Sequence, residues 1–343
     1  MIITKLSTND DELAWDEFVA HNDTATFFHQ IAWKKLVEKC YKFKPIYLMA
    51  KDGGEIKGIL PLFMIKNIFL GIRLISVPFS TVGGVCANSP IATHQLIKKA
   101  IELTQALGCD YLELRHLYEE NIRNLVTKSN YFTFQLQLSP DPENVWRNLN
   151  KTNRKKIRRA RNNNLHVILE SKDFETFYRI YSQGQRNLGT PIQDYKWLKN
   201  LFFDFPDNHF IAMAEHNEKT VATLFWRRFK NSISGVLAYS LEEHRHLYPY
   251  HLILWELIEK ACRNGYEWYD FGRSVKSSGT YFFKTTWRPE NIKLNYQYYL
   301  NKSRNIPDTS QKNPKRQLFS KLWKRLPVSV ANTLGPRIRK YFP

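Results

Sequence analysis

The sequence predicts an α/β fold in which one module occurs twice. Helix-like and strand-like periodicities alternate along the chain with short connections, the pattern of helices packed on a mixed sheet. Two stretches separated by 164 residues repeat the same strand, turn and strand. Length agrees, since 343 residues exceed one ordinary core and suit about two domains of ~150 residues.

Residues 10–40 read as helical, with Leu13, Phe18, Trp33, Leu36 and Val37 at i+3 and i+4 spacings. Residues 47–50 and 56–65 read as strands joined by Lys51-Asp52-Gly53-Gly54-Glu55, whose glycines tolerate positive φ. Strands are expected again at 73–79 and 82–87. A helix over 91–107 stops at Gly108, the residue type that most readily takes a left-handed cap. Then come a strand at 109–115, a helix at 119–128 and a strand at 132–138.

The order recurs in the second half. Residues 210–219 read as strand and turn, 221–229 and 232–239 as strands, and 250–264 as a helix ending at Gly265. Ala50 corresponds to Ala214. The strand after Gly265, Tyr266-Glu267-Trp268-Tyr269-Asp270-Phe271, matches Cys109-Asp110-Tyr111-Leu112-Glu113-Leu114 at an offset of 157. In both copies an acid, Glu113 or Asp270, stands five residues after the glycine. Ser139-Pro140-Asp141-Pro142 is a turn between the copies, and the polar stretch 301–314 reads as a linker. The expected domains are 1–140, 141–300 with a basic helix near 143–164, and 301–343 as linker and tail.

Composition narrows the function classes. Hydrophobic residues at 43% and aromatics at 14% rule out a disordered or collagen-like chain. The net charge of +19 argues for a polyanionic partner. Cys40, Cys86, Cys109 and Cys262 form no CxxC pair and read as reduced thiols of a cytosolic protein. The first residues hold acids before any apolar run, so no secretory signal is expected, and no apolar stretch reaches the ~18 residues that span a bilayer. A cytoplasmic protein, peripheral on the inner membrane face, is the expectation. His244, His246 and His251 do not share a helical face, and no carboxylate or thiol completes a metal site, so no metal is expected. P-loop, Gly-x-Ser-x-Gly and His-Glu-x-x-His motifs are absent from the sequence.

Several phrases together resemble a known family. In the first half they are Phe27-Phe28-His29-Gln30-Ile31-Ala32-Trp33, Ile59-Leu60-Pro61-Leu62, and Pro78-Phe79 followed by Gly83-Gly84. In the second half they are Tyr269-Asp270-Phe271-Gly272-Arg273-Ser274, Gly279-Thr280-Tyr281-Phe282-Phe283-Lys284 and Trp287. The chain thereby resembles the FemA/FemB/FemX-like transferases, specifically the subgroup found with exosortase and exopolysaccharide systems, whose domain is also labelled BioF2-like acetyltransferase. The resemblance covers about residues 10–343 and implies two tandem GNAT (acyl-CoA N-acyltransferase-like) modules, each a mixed sheet flanked by helices. It implies transfer of an acyl or aminoacyl group onto an amine of a cell-envelope or exopolysaccharide precursor. The donor would be aminoacyl-tRNA or acyl-CoA, with no tightly bound cofactor. Two features depart from the relatives. The loop His244-Arg245-His246-Leu247-Tyr248-Pro249-Tyr250 lacks the glycines that let backbone N–H groups reach a pyrophosphate, and only one helix is expected where some relatives carry a long helical arm.

Acyl transfer to an amine needs a deprotonated amine, a held carbonyl and a group opposing the charge that develops on its oxygen. Lys284, in an aromatic run with Tyr281, Phe282, Phe283 and Trp287, is the candidate for the last role. Asp270 is the candidate proton acceptor and Arg273 a fork for phosphate or carboxylate; the alternative pairs these two as a structural ion pair. Tyr281 is the third catalytic candidate, and Gly272, Ser274, Tyr239 and Tyr248 complete the substrate-binding set. Glu113, Arg115 and His116 read as structural counterparts in the first copy.

Two basic segments remain. Arg147, Lys151, Arg154, Arg158 and Arg161 form one stripe on a helix over 147–161, against Leu149, Ile157 and Ala160 on another face, and are read as a polyanion (tRNA) contact. Residues 301–343 hold eleven basic residues against Asp308 alone. There Leu318, Phe319, Leu322, Trp323 and Leu326 share a side, and Val330, Leu334 and Ile338 continue after Pro327. Residues 315–343 thus fit either an interfacial helix on anionic lipid or a helix docked on the protein's own body. The rival to the transferase reading is a non-catalytic module of the same fold that grips an anionic glycolipid or nucleic acid.

Overall fold

The computed structural model describes residues 1–67, 71–117, 120, 122–306 and 314–341. The chain forms β1 (Ile2–Lys5), α1 (Asn9–His21), α2 (Ile31–Tyr41), β2 (Lys44–Asp52), β3 (Glu55–Asn67), β4 (Gly71–Ile75), β5 (Cys86–Ala87), α3 (Pro90–Ala106), β6 (Tyr111–His116) and β7 (Val126–Gln137). Next come α4 (Pro142–Asn148), α5 (Lys151–Asn162), β8 (His166–Ser171), α6 (Phe174–Leu188), α7 (Tyr195–Phe203), β9 (His209–His216), β10 (Lys219–Phe229) and β11 (Ser232–Ser240). The last elements are α8 (Pro249–Arg263), β12 (Trp268–Asp270), β13 (Ser274–Val275), α9 (Gly279–Thr285), β14 (Glu290–Leu300), α10 (Pro314–Trp323) and α11 (Val328–Arg339).

The repeat read from the sequence is present down to its irregularities. Ala50 pairs with Gly58 in the first hairpin and Ala214 with Ala222 in the second, each 164 residues on. Each ladder slips by one residue just beyond that pair, a bulge that skips Lys57 in one copy and Val221 in the other. In both copies two helices follow the first strand, a long helix follows the hairpin, and a parallel strand follows that helix. Gly108 and Gly265 end those long helices at φ of +60° and +76°. The parallel ladders have three pairs each, ending at Ile75 with Glu113 and at Ser234 with Asp270. The two acids therefore occupy one position, where neighbouring strands part.

The chain divides into two compact units that are not contiguous. One takes residues 1–131, 293–309 and 341–343; the other takes 132–292 and 310–340. Strand order in the first is β1-β2-β3-β4-β6-β14, and in the second β8-β9-β10-β11-β12-β7. Each unit's final strand thus comes from the other copy's stretch of sequence: β14 lies antiparallel to β6, and the end of β7 antiparallel to β12. Boundaries drawn at residues 140 and 300 follow the repeat but not this exchange.

The first core forms where α3 lays Ala92, Leu96, Ile97 and Ala100 against Leu48, Leu60, Leu74 and Leu112. The second packs Leu254, Trp255 and Ile258 of α8 against Ala212, Leu224 and Ile233. Four local expectations change. Residues 10–40 form two helices, because Thr26 and His29 cap each other across the break, and α1 buries Trp15 and Val19 while Leu13 stays exposed. Strands expected at 73–79 and 82–87 shrink to β4 and β5, since Val77 and Phe79 turn the chain at φ of +47° and +63°. No helix occupies the described part of 119–128, where β7 begins at Val126. The basic helix over 147–161 is broken at Leu149 and Asn150, where Asn150 caps α5 by accepting from the Thr152 amide.

Glu113 in the first unit is consumed locally. Arg115 Nε donates to its Oε1 at 2.8 Å, and Arg115 Nη1 donates to the Ser80 carbonyl at 2.9 Å. Both side chains are buried, and residues 76–84 fill the space beyond the ladder. Arg115→Met should cost about 3–5 kcal/mol, because it leaves a buried carboxylate without its cation. Glu113→Gln added to that variant should restore part of the loss. Denaturant midpoints of the two variants check this.

Candidate active site

In the second unit the residue two beyond the acid is Gly272, where the first copy has Arg115. Without a side chain, and at φ of +73°, the chain turns sharply out of the strand. Asp270 Oδ1 accepts from the Gly272 amide at 2.8 Å and from Thr133 Oγ1 of β7 at 2.8 Å, which pins the turn. The cation then arrives from another element. Lys284, in the last turn of α9, donates from Nζ to the Gly272 carbonyl at 2.8 Å and the Arg273 carbonyl at 3.1 Å. Its Nζ also lies 5.5 Å from the centre of the Phe134 ring.

This seat is half-buried, and burial pulls Lys284 down from the usual lysine range to about 8; the Asp270 carboxylate opposes that fall and Arg273 adds to it. An ammonium has three N–H donors, and two are spent on carbonyls, which leaves one for an incoming oxygen. On the other side of Asp270, Arg227 of β10 donates to Ser234 Oγ at 3.2 Å, Ser234 being the ladder partner of Asp270. Burial depresses Arg227 too, again against the Asp270 charge. One carboxylate therefore serves two desolvated cations.

The remaining sequence candidates divide. Arg273 projects from the same turn and is exposed, while Ser274 is buried with its Oγ lacking a hydrogen-bond partner among the described residues. Tyr281 packs edge-on against Phe132 and Phe134, at 5.6 and 5.3 Å between ring centres. Tyr239 is elsewhere: it lies five residues along β11 from Ser234, about 16 Å away. Its hydroxyl accepts from Asn187 Nδ2 and donates to Glu242 Oε1. Tyr248, left-handed at φ of +60°, opens α8. Lys156 and Arg159 lie over its ring at 5.7 and 5.5 Å. His251, one turn into α8, meets both Tyr248 and Phe283, and burial lowers it to about 4.

The basic stripe is only partly a free face. Arg147 pairs with Glu143 at 3.2 Å on α4, and Arg161 with Glu259 at 3.6 Å. Arg158 covers Trp146, while Lys151 is exposed and Arg154 half-exposed on α5. Thr133, Phe134 and Arg227 were missed by sequence reasoning, because they belong to strands distant in sequence from the Asp270–Lys284 block. Lys156 and Arg159 lie off the predicted stripe, on the face toward Tyr248. No group of three or more His, Cys, Asp or Glu among the described residues is arranged to hold a metal ion, and all four cysteines are free thiols. A cavity of about 240 Å³ in the first unit, lined by residues such as Glu12, Lys34 and Tyr47, contains none of these candidates.

Residues 147–285 match the family described as Acetyltransferase (GNAT) domain. No curated protein matches the sequence. Among solved structures, one described as FemX superposes with a TM-score of 0.70 at 13% identity, covering 93% of this chain and 100% of that one. The structure of L-PGS from Bacillus licheniformis gives 0.56 at 13% identity, covering 95% and 100%. A tandem GNAT protein from the clavulanic acid biosynthesis pathway gives 0.54 at 10% identity, covering 87% and 97%. The fold is a tandem GNAT fold.

The charge arrangement has a direct test. Lys284, isotope-labelled by reductive methylation, should titrate near 8 by NMR. Asp270→Asn should lower that value, because the carboxylate favours the charged amine. An unchanged titration in the variant would separate the two groups.

Proposed function

We propose that this tandem GNAT chain is an N-acyltransferase that moves an acyl or aminoacyl group onto an amine of a cell-envelope or exopolysaccharide precursor, with its chemistry in the second unit. The observation that carries this reading is the Lys284 ammonium seated on two carbonyls beside Asp270, at the point where β11 and β12 part. The acceptor amine attacks the ester or thioester carbonyl, the C–N bond forms, and negative charge collects on the carbonyl oxygen. Lys284 opposes that charge with its third N–H from a site poor in water. The C–O or C–S bond then breaks, and the leaving oxygen or sulfur takes up the proton that the amine releases. Asp270 keeps Lys284 charged and accepts that proton in transit, Arg273 grips an anionic part of a substrate, and Tyr281 lines the approach.

Aminoacyl-tRNA is the favoured donor. A CoA pyrophosphate requires backbone N–H groups at the start of α8, where Pro249 supplies none. The cations of α5 suit a polyphosphate chain instead. The resemblance to Fem transferases, together with the fold shared with FemX and L-PGS, supports an envelope acceptor.

Lys284→Ala should keep the fold and lower transfer by ~10²-fold or more, the scale of losing one oxyanion donor. Mass spectrometry of the acylated amine under single turnover reads this, and wild-type rates in the folded variant would end the assignment. Reversing Lys151, Arg154 and Arg158 to Glu should weaken tRNA binding and flatten its salt dependence by ~0.7–0.9 log units for each phosphate no longer engaged. Transfer from acyl-CoA, assayed in parallel, should not respond to the same reversal.

A further inference from the structure

The C-terminal helices present two faces of different character. Inward, Trp323 and Ala331 are buried to 4% and 3% exposure. Arg186 Nη1 donates to the Lys324 carbonyl, and a Cβ on Gly335 would come within 2.9 Å of Ile192. The tail is therefore docked on its own unit. Outward, Leu318 and Leu322 remain 60% and 56% exposed, and Val330 and Leu334 are each 38% exposed.

These outward residues follow a rule. Leu318, Leu322 and Arg325 are spaced by four and three, as are Val330, Leu334 and Arg337, so each helix shows an apolar pair with a cation at its end. Arg325 lies in the turn that prolongs α10, its amide bonded to the Leu322 carbonyl at 3.0 Å. Lys321, Lys324, Arg325 and Arg337 are all exposed. Residues 314–341 contain eight Lys or Arg and no Asp or Glu.

We propose that α10 and α11 dock this protein on an anionic lipid bilayer, with Leu318, Leu322, Val330 and Leu334 entering the acyl boundary and the surrounding cations resting on headgroups. The docked inner face and the lipid face are compatible, because they use different sides of the same helices. Charge chooses the occupant. A second copy would bring eight more cations against eight, and a nucleic acid offers nothing to four exposed aliphatic side chains, whereas an anionic membrane satisfies both features. This inference is independent of the transfer reaction.

The test is flotation of the full chain with vesicles of phosphatidylcholine alone and of phosphatidylcholine mixed with phosphatidylglycerol. Binding should require phosphatidylglycerol and weaken with salt. Leu318→Ser combined with Leu322→Ser and Leu334→Ser should reduce it by about tenfold or more, as should Lys321→Glu with Arg325→Glu, which removes two cations from the headgroup surface. Circular dichroism and thermal midpoints should match wild type, since none of these side chains is buried. Flotation indifferent to phosphatidylglycerol or unchanged in the serine variant would overturn the proposal. So would wild-type self-association on sedimentation that the serine variant abolishes, because the apolar face would then belong to a second copy.

Discussion

Everything distinctive in the second unit depends on how one parallel ladder ends. β11 and β12 pair for three residues, and at the last pair the chain turns through Gly272 instead of continuing. That turn presents two successive carbonyls to Lys284 and one amide to Asp270. A lysine in an apolar setting loses part of its affinity for a proton. The Asp270 carboxylate returns some of it, which leaves a group that is charged near neutral pH yet poorly hydrated. Such a group opposes developing negative charge more strongly than one in water, because little solvent screens it and its position is already set.

The first unit is the internal control. It has the same bulge, the same glycine-capped helix, the same three-pair ladder and an acid at the same terminal position. There the residue two further on is Arg115, which closes on Glu113 and on the carbonyls of Val77 and Ser80. An acid satisfied within its own loop has little to offer a substrate. In the other copy a glycine stands at that position, and the cation seated on the turn's carbonyls comes from α9. Strand exchange contributes as well, because β7 brings Thr133 and Phe134 to Asp270 and Lys284 from sequence that precedes the second copy.

Much of this was legible in the sequence. The offsets of 164 and 157 identified the duplication because strand registers and helix caps are local properties, written in alternation and in single glycines. Asp270 and Lys284 stood out within one short block. Non-local features were not legible. Nothing near Val126 or Glu290 shows that β7 and β14 trade places: the start of β7 reads as the end of a helix over 119–128, and residues 290–300 carry no signal that names their partner strand. Thr133, Phe134 and Arg227 approach the site through strand pairing alone. The break before α5 was hidden because basic residues keep helical spacing across it, from Arg147 through Lys151 to Arg161, although Asn150 is a good cap. Tyr239 shows the opposite case: its residue type suggested chemistry, and its place along β11 sets it beside α6, apart from Asp270 and Lys284.

The proposed transfer requires a charged Lys284, and the pH dependence of single-turnover transfer reads that charge state directly. The wild-type rate should fall as pH rises through about 8, where the amine loses its proton. In Lys284→Arg, whose guanidinium stays charged, that alkaline fall should vanish even if the rate is lower throughout. A fall near the same pH that persists in the arginine variant would show that another group governs the reaction, and would contradict the role of Lys284 as the cation that opposes the developing charge.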